Sequence, residues 1–440
     1  MPDRITLEPI RRPFRARVTP PGSKSLTNRA LVLAALADGQ STLRNVLRAD
    51  DTAVMIDGLR QLGFTLDCDD AARVVRVVGG GGAIPAGSAD IFCGNSGTTL
   101  RFLTALCTLG HGQYLLDGVP RMRQRPVGQL VDLLRNLGGR VACLNGAGTP
   151  PVRVHGSPRG LAGGIARFGS AASSQYLSAA LQVAPLARRE VLIDLDRPQT
   201  SWPYVAMTMR LMDEFGAFCE LTRDPKTGDP IQINVPPARY AAVDYTVEPD
   251  ATAASYFLAA AAINPGSRVV IEGLGRASLQ GDVHFADVLA RMGARVRVTE
   301  ASVELEGIAP LESVDADLAD MPDVAQTLAV ACVFADGPSR LTGLRTLRVK
   351  ETDRLAALQK ELAKLGARAD VEGDDALVVH PPRVAPQAGD PVETYDDHRM
   401  AMSFAVASTR INGLTILNPA CVNKTYPDFF EEFSRAVTTC

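Results

Sequence analysis

Lys24, Ser25 and Arg29 crowd the start of an apolar run, and the same pairing of small polar residues with charge recurs along a chain of 440 residues. Arg101 and Arg125 belong to a second such stretch, and Ser173, Ser174 and Gln175 to a third. Later come Asp323, the run RVKETDR from Arg348 to Arg354, the triplet Asp397, His398 and Arg399, and Lys424. Guanidinium forks bind phosphate and carboxylate bidentately, so several together imply a ligand that carries both groups. Free N–H groups and the positive dipole end of a helix add to that attraction. Taken alone, Lys24 and Arg29 read equally well as solvated charges at a helix start, the default for surface cations. The later stretches favour the anion site.

Two carboxylates stand among these cations. Asp323 follows Pro322 at a helix start, where the dipole favours its ionised form, and beside a cation such as Lys350 it could act as a general base. It reads also as a first-turn aspartate with no task. Glu351 lies next to Lys350 and three residues before Arg354, so its plain alternative is an exposed helical ion pair worth ~0.5 kcal/mol. His398 is either a proton carrier or an oriented structural histidine. Thr98, Ser174 and Thr252 stand where helix N-caps are expected.

The elements that must position these residues repeat about every 75 residues. A large apolar residue and Gly close a helix at Gly63, Gly138, Gly216, Gly293 and Gly366, spaced 75, 78, 77 and 73 residues apart. Each glycine suits a left-handed C-terminal cap, and the residues after it alternate like a strand hairpin. The polar stretch leading into a short Ala-rich helix recurs near Ser25, Thr98, Ser174, Thr252, Asp323 and His398, in steps of 73, 76, 78, 71 and 75. These helices are apolar on every side, which predicts burial. Six of them precede only five hairpins; the sixth surface helix is expected at 427–437, and strands in residues 1–20 are expected to supply what the C-terminus lacks. The pattern predicts an α/β fold in two three-unit domains, 23–243 and 1–22 plus 244–440, with two chain crossings that would form a hinge. If the apolar helices run parallel, their N-termini gather on one face of each domain, and two such faces opposed would make a cleft for multiply charged anions.

Composition excludes other classes. Hydrophobic residues make up 46% and charged residues 22% of the chain, with a formal net charge of −3, which offers no extended basic surface for nucleic acid. No apolar run reaches the ~18 residues of a membrane span, and the N-terminus lacks the apolar core of a signal peptide. Eight cysteines without a C-x-x-C pair and five scattered histidines argue for reduced thiols in a cytoplasm and against a metal site. Each domain can close its own core, so a monomer is expected.

With these stretches assembled, the chain resembles the 5-enolpyruvylshikimate-3-phosphate synthase family along nearly its whole length. PGSKSLTNRALVLAALADG, GNSGTTLR, PRMRQRPVG, SSQYLSAAL, KETDRL, YDDHRMAM and KTYPDF occur in family order and at family-like spacing. The resemblance implies a two-domain, inside-out α/β barrel of six units with parallel inner helices. It implies transfer of the enolpyruvyl group of phosphoenolpyruvate to the 5-hydroxyl of shikimate 3-phosphate, with release of phosphate and no metal or organic cofactor. By motif, shikimate 3-phosphate would be held by Lys24, Ser25, Arg29, Ser173, Ser174, Gln175, Ser201, Asp323 and Lys350. Phosphoenolpyruvate would meet Lys24, Gly97, Arg125, Gln175, Arg354, Arg399 and Lys424. Asp323 resembles the base and Glu351 the acid, with Lys24, Lys424 and His398 also at the reacting centre.

Three positions depart from the family pattern. Phe102 stands where Pro is usual and is expected to alter the wall beside Gly97, which bears on sensitivity to the family inhibitor glyphosate. Thr346 replaces a common Asn, and Asp396 another. The sister family, UDP-N-acetylglucosamine enolpyruvyl transferase, usually carries a reactive Cys in the loop that here reads PRMRQRPV without one. A non-catalytic anion- or RNA-end-binding protein is the rival from another class, but a binder of anions gains nothing from Asp323 and Glu351.

Overall fold

The computed structural model describes residues 2–169, 171–197 and 199–439. Cys440, counted among the thiols above, lies outside the described residues. The chain divides into two compact units, Gly22–Val247 and the segments ending at Pro21 and beginning at Glu248.

The unit Gly22–Val247 contains three repeats of one plan: inner helix, strand, outer helix, hairpin. Its inner helices are Lys24–Leu36, Gly97–Cys107 and Gln175–Val183. From Leu26 to Leu36 every residue of the first is buried, as the lack of a polar face requires. The outer helices Asp50–Gln61, Gly128–Asn136 and Trp202–Glu214 bury one stripe each; Gly128–Asn136 turns in only Leu130, Val131, Leu133 and Leu134. Gly63, Gly138 and Gly216 follow at φ of +88°, +91° and +87°, the left-handed geometry that stops a helix at little cost for glycine.

The other unit has inner helices Ala251–Ile263, Ala325–Cys332 and His398–Ser408, and outer helices Phe285–Arg291, Arg354–Ala363 and Phe429–Thr438. Its inner helices are parallel. Ser255 and Thr327, each in the first half of its helix, bring their hydroxyls within 3.2 Å, Thr327 lies 3.3 Å from Ser403 at the middle of the last, and at the far end the C-cap Asn264 donates to the C-cap Thr409 at 2.7 Å. Neighbouring N-termini with neighbouring N-termini, and C with C, leave no other orientation. Phe429 stacks on Phe433 at 5.2 Å and meets Tyr256 edge-on at 5.5 Å, which docks the last outer helix on the core.

Five four-stranded sheets share one order: a leading strand, parallel to the strand after the inner helix, then the two strands of the hairpin. In three of them the leading strand comes directly before its own inner helix, as in Ser88–Phe92 beside Gln113–Asp117. At the chain crossings the leading strands are exchanged. Arg15–Val18, which precedes the first inner helix, pairs with Arg268–Glu272 after the fourth, and Asp244–Thr246, which precedes the fourth, pairs with Gln40–Arg44 after the first. For this reason the unit that begins at Gly22 extends to Val247, past the expected boundary at 243. The incomplete sixth repeat pairs Leu414–Leu417 with the N-terminal strand Arg4–Leu7, antiparallel.

Candidate active site

In the unit Gly22–Val247 the inner-helix N-termini carry a chain of buried polar contacts. Ser23 caps the first helix by accepting from the Leu26 N–H, and Ser96 caps the second by accepting from Thr99 N–H. Lys24 Nζ lies 3.5 Å from Asp51 Oδ2, a carboxylate buried in the first turn of the neighbouring outer helix. Arg29 is neither a solvated cation nor an open fork. Four of its N–H groups donate to protein oxygens: to Thr208 Oγ1 at 2.7 Å, Ser25 O at 2.9 Å, Tyr204 O at 3.1 Å and Ser178 Oγ at 3.2 Å. Burial lowers its pKa to about 10, so it stays charged at neutral pH. The Phe102 ring lies over it, 5.2 Å from Cζ. Phe102 therefore covers Arg29 and does not line the Gly97 side, because five residues along a helix turn a side chain well away from the starting face.

Arg101, Gln175 and Arg125 occupy the Gly97 side. Arg101 donates to Gln175 Oε1 at 2.5 Å and to Pro126 O at 3.1 Å, with its guanidinium 5.1 Å from the Tyr176 ring centroid. Gln175 in turn donates to Thr98 Oγ1 at 3.1 Å, joining the second and third N-termini. Arg125, buried, donates to Asn95 O at 3.0 Å. A methyl group on Gly97 would meet Arg125 Nη2 at 2.7 Å, so the absent side chain makes room for this guanidinium. Ser174 makes no side-chain cap bond; Ser173 Oγ accepts from the Gln175 N–H at 3.3 Å instead. Ser201 holds a left-handed φ of +59° just before Trp202, a conformation a non-glycine residue rarely adopts without a reason.

The other unit gathers a denser ionic network. Asp323 lies in a short 3-10 turn leading into Ala325–Cys332. Its carboxylate accepts from Arg399 Nη2 at 2.8 Å, Lys350 Nζ at 3.1 Å and Arg354 Nη1 at 3.4 Å. Burial pulls the Lys350 ammonium below its ordinary pKa, and the charge of Asp323 opposes that shift. Arg354, 1% exposed, also donates to Glu351 Oε2 at 3.0 Å and to Asp397 Oδ2 at 2.7 Å. Burial alone would lower its pKa, but Asp397, then Glu351 and Asp323, hold it above the ordinary value. Glu351 is thus paired with Arg354 as the spacing allows, yet its side chain is only 7% exposed and also lies 3.9 Å from Lys424 Nζ. An exposed helical pair is the wrong description of it.

Asp397 caps the last inner helix by accepting from the Arg399 N–H. His398 is buried, with Nδ1 3.7 Å from Asp397 Oδ1. Asp250, not Thr252, caps the helix Ala251–Ile263. Thr252 donates instead to the buried Asp282, whose carboxyl is pushed up to about 6 by burial first and by the charge of Asp323 second. Asp396 is exposed, left-handed at φ +55°, and accepts from Asn418 Nδ2 at 3.3 Å, a conformation Asp tolerates as Asn does. Thr346 is buried in the 3-10 helix Arg345–Val349, and its hydroxyl has no hydrogen-bond partner among the described residues.

Sequence reasoning passed over Asp51, Asn95 and Asp282. Asp50 and Asp51 look alike as acids at a helix start, and only packing shows that Asp51 is buried against Lys24. Among the described residues no group of three His, Cys, Asp or Glu side chains is placed to hold a metal ion.

The α/β fold places paired cations and carboxylates at inner-helix N-termini, an arrangement suited to an anionic small molecule. Comparison with known proteins narrows this. The family model of EPSP synthase (3-phosphoshikimate 1-carboxyvinyltransferase) matches residues 9–433, and the chain belongs to that family. It is 44% identical over 444 aligned residues to the chloroplastic 3-phosphoshikimate 1-carboxyvinyltransferase of Solanum lycopersicum, covering 98% of this chain and 84% of that protein. The 3-phosphoshikimate 1-carboxyvinyltransferase of Trichormus variabilis is 41% identical, with 99% of each chain covered. The solved EPSP synthase of Acinetobacter baumannii shares the fold, with a TM-score of 0.79 at 24% identity over 99% of this chain and 98% of that one.

Proposed function

We propose that this protein transfers the enolpyruvyl group of phosphoenolpyruvate to the 5-hydroxyl of shikimate 3-phosphate and releases phosphate. The observation that carries the reading is Asp323, a carboxylate held among Lys350, Arg354 and Arg399 at an inner-helix N-terminus, in a chain of this family. Asp323 takes the 5-hydroxyl proton, and the freed oxygen attacks C2 of phosphoenolpyruvate. Glu351 delivers a proton to the methylene carbon, which becomes a methyl group. Loss of a methyl proton with cleavage of the C2–O bond to phosphate then restores the double bond and completes the exchange. Flanking cations stabilise the charge that builds on the phosphate and carboxylate oxygens.

Shikimate 3-phosphate is assigned to Lys24, Ser25, Arg29, Ser173, Ser174, Gln175, Ser201, Asp323 and Lys350. Phosphoenolpyruvate is assigned to Lys24, Gly97, Arg125, Gln175, Arg354, Arg399 and Lys424. Arg354 reaches an anion most easily through Nη1, since its 3.4 Å contact with Asp323 is longer than the others it makes. Lys24 and Lys424 supply positive charge at the transferred group, and His398 is the remaining candidate for a proton carrier. The two compact units are taken as the functional domains, each contributing ligands. A cytoplasmic monomer fits the seven described cysteines, all free, and the separate core of each unit. No helix is long and apolar enough to cross a membrane, among the residues described. The glycine at 97 supports inhibition by glyphosate in competition with phosphoenolpyruvate.

The test is phosphate release from phosphoenolpyruvate by purified protein, with shikimate 3-phosphate in one sample and UDP-N-acetylglucosamine in another. Release with shikimate 3-phosphate alone is expected. Release with the nucleotide sugar alone would assign the chain to the sister activity, and release with neither would refute enolpyruvyl transfer.

A further inference from the structure

The outer helix Arg354–Ala363 grips the segment before His398–Ser408 at two points, two helical turns apart. At its start, Arg354 donates to both oxygens of Asp397, at 2.7 and 3.2 Å. Toward its end, Glu361 accepts from the Tyr395 hydroxyl at 2.7 Å and from the Glu393 N–H at 2.8 Å. Glu361 is 1% exposed, and Lys364 Nζ, 2.7 Å away, balances its charge. The gripped segment is strained: Tyr395 and Asp396 are consecutive non-glycine residues, both at φ +55°. Left-handed backbone is unfavourable for L-residues and persists only where surroundings enforce it. Directly after it, Asp397 Oδ1 accepts from the Arg399 N–H at 2.9 Å, and the Arg399 side chain reaches Asp323.

We propose that Glu361 and Tyr395 are positioning residues: their hydrogen bond holds the left-handed pair, and the pair aims Arg399 at phosphoenolpyruvate. The proposal rests on the enolpyruvyl-transfer reading. Arg354 fixes the side chain of Asp397, but the torsions of the two preceding residues are set from the other end of the helix, by Glu361. Without that bond the turn relaxes, and Arg399 loses its fixed distance to Asp323. The consequence falls on the ligand Arg399 binds and spares the other substrate.

Tyr395→Phe removes one hydroxyl and keeps the ring packing. The expected result is a KM for phosphoenolpyruvate raised about tenfold, with the KM for shikimate 3-phosphate within about twofold of wild type. Amide exchange at Arg399, followed in the same variant without substrate, should accelerate about tenfold as its bond to Asp397 loosens. Adding Asp396→Gly, which adopts the left-handed turn without strain, should bring the KM back to within about threefold of wild type. An unchanged KM for phosphoenolpyruvate, equal rises for both substrates, or no recovery with Asp396→Gly would overturn the proposal. Should the wild type release no phosphate, the functional reading fails by itself, and amide exchange still decides the clamp: unchanged exchange in Tyr395→Phe refutes it.

Discussion

Gly97→Ala tests the site through one methyl group. That carbon would lie 2.7 Å from Arg125 Nη2, 2.9 Å from its Cζ and 3.0 Å from Arg101 Nη1. The first contact is roughly 0.7 Å short of ordinary van der Waals separation, so the guanidinium must withdraw. The tip of a long side chain can yield, and the cost to the fold should stay under about 1 kcal/mol. Arg125 cannot yield freely, however. It is buried and tied to Asn95 O at 3.0 Å, so the shift lengthens that bond and moves the fork from its place. A charge-assisted hydrogen bond contributes about 1.5–3 kcal/mol, and losing half of one corresponds to roughly four- to twelvefold in affinity.

The KM for phosphoenolpyruvate should therefore rise roughly four- to twelvefold, with the KM for shikimate 3-phosphate within about twofold. Phosphate release is measured with each substrate varied against saturating partner, and thermal melting is recorded on the same samples. Equal rises in both KM values would contradict the assignment of Arg125, as would an unchanged KM for phosphoenolpyruvate. A large fall in melting temperature with both KM values intact would show that the fold, and not the position of Arg125, bears the strain, and that Arg125 does not serve that ligand.

Three further outcomes are expected. Asp323→Ala should lower kcat by roughly 10² to 10⁴ if it is the general base, and near-normal turnover would remove it from that role. Asp397→Asn leaves Arg354, 1% exposed, without its shortest ion pair and should cost about 3 kcal/mol, seen as a lower urea midpoint; an unchanged midpoint would show that Glu351 and Asp323 suffice. Asp282 has a folded pKa of about 6 against an ordinary 3.8, so the native state binds its proton more tightly and stability is lost as pH rises from about 4 through 6. Asp282→Asn should therefore stabilise the protein at pH 8 by up to about 3 kcal/mol and change little at pH 4; the same gain at both pH values would deny that the carboxyl is protonated in the fold.

What could be read from the residues in order was whatever depends on local backbone chemistry. The helix-stopping glycines were legible because a left-handed C′ position nearly demands one, and all five have φ between +82° and +96°. The apolar helices were legible because a helix without a polar face must be buried. Caps were misplaced by two residues: Ser96 and Asp250 cap where Thr98 and Thr252 were expected, since several hydroxyls and acids in a row compete for the same N–H groups. Half of the strand exchange was legible: residues 1–22, with Arg15–Val18, were expected in the second domain, whereas Asp244–Thr246 was expected there too and pairs instead with Gln40–Arg44, because strand pairing across about 200 residues leaves no mark in the segment itself.

The site was legible as a set of charges but only partly as a set of pairs. Sequence alone sets Asp323 beside Lys350 and Glu351 with Arg354, and presents Lys24, Arg399 and Lys424 as cations awaiting an anion. The structure gives each of them a carboxylate of its own unit: Asp51 for Lys24, Asp323 for Lys350 and Arg399, Asp397 with Glu351 for Arg354, and Glu351 for Lys424. Taking a cation out of water without such a partner costs several kcal/mol, so within each unit the acids are what allow these cations to be withdrawn from solvent. The same pairs bear on the chemistry. A phosphate that drew Lys424 away from Glu351, or Arg399 away from Asp323, would change the charge beside the two groups proposed to move protons. On the proposed roles, anion binding and acid–base readiness are coupled through shared partners, which gives a carboxylate in an anion site a place in the response to ligand.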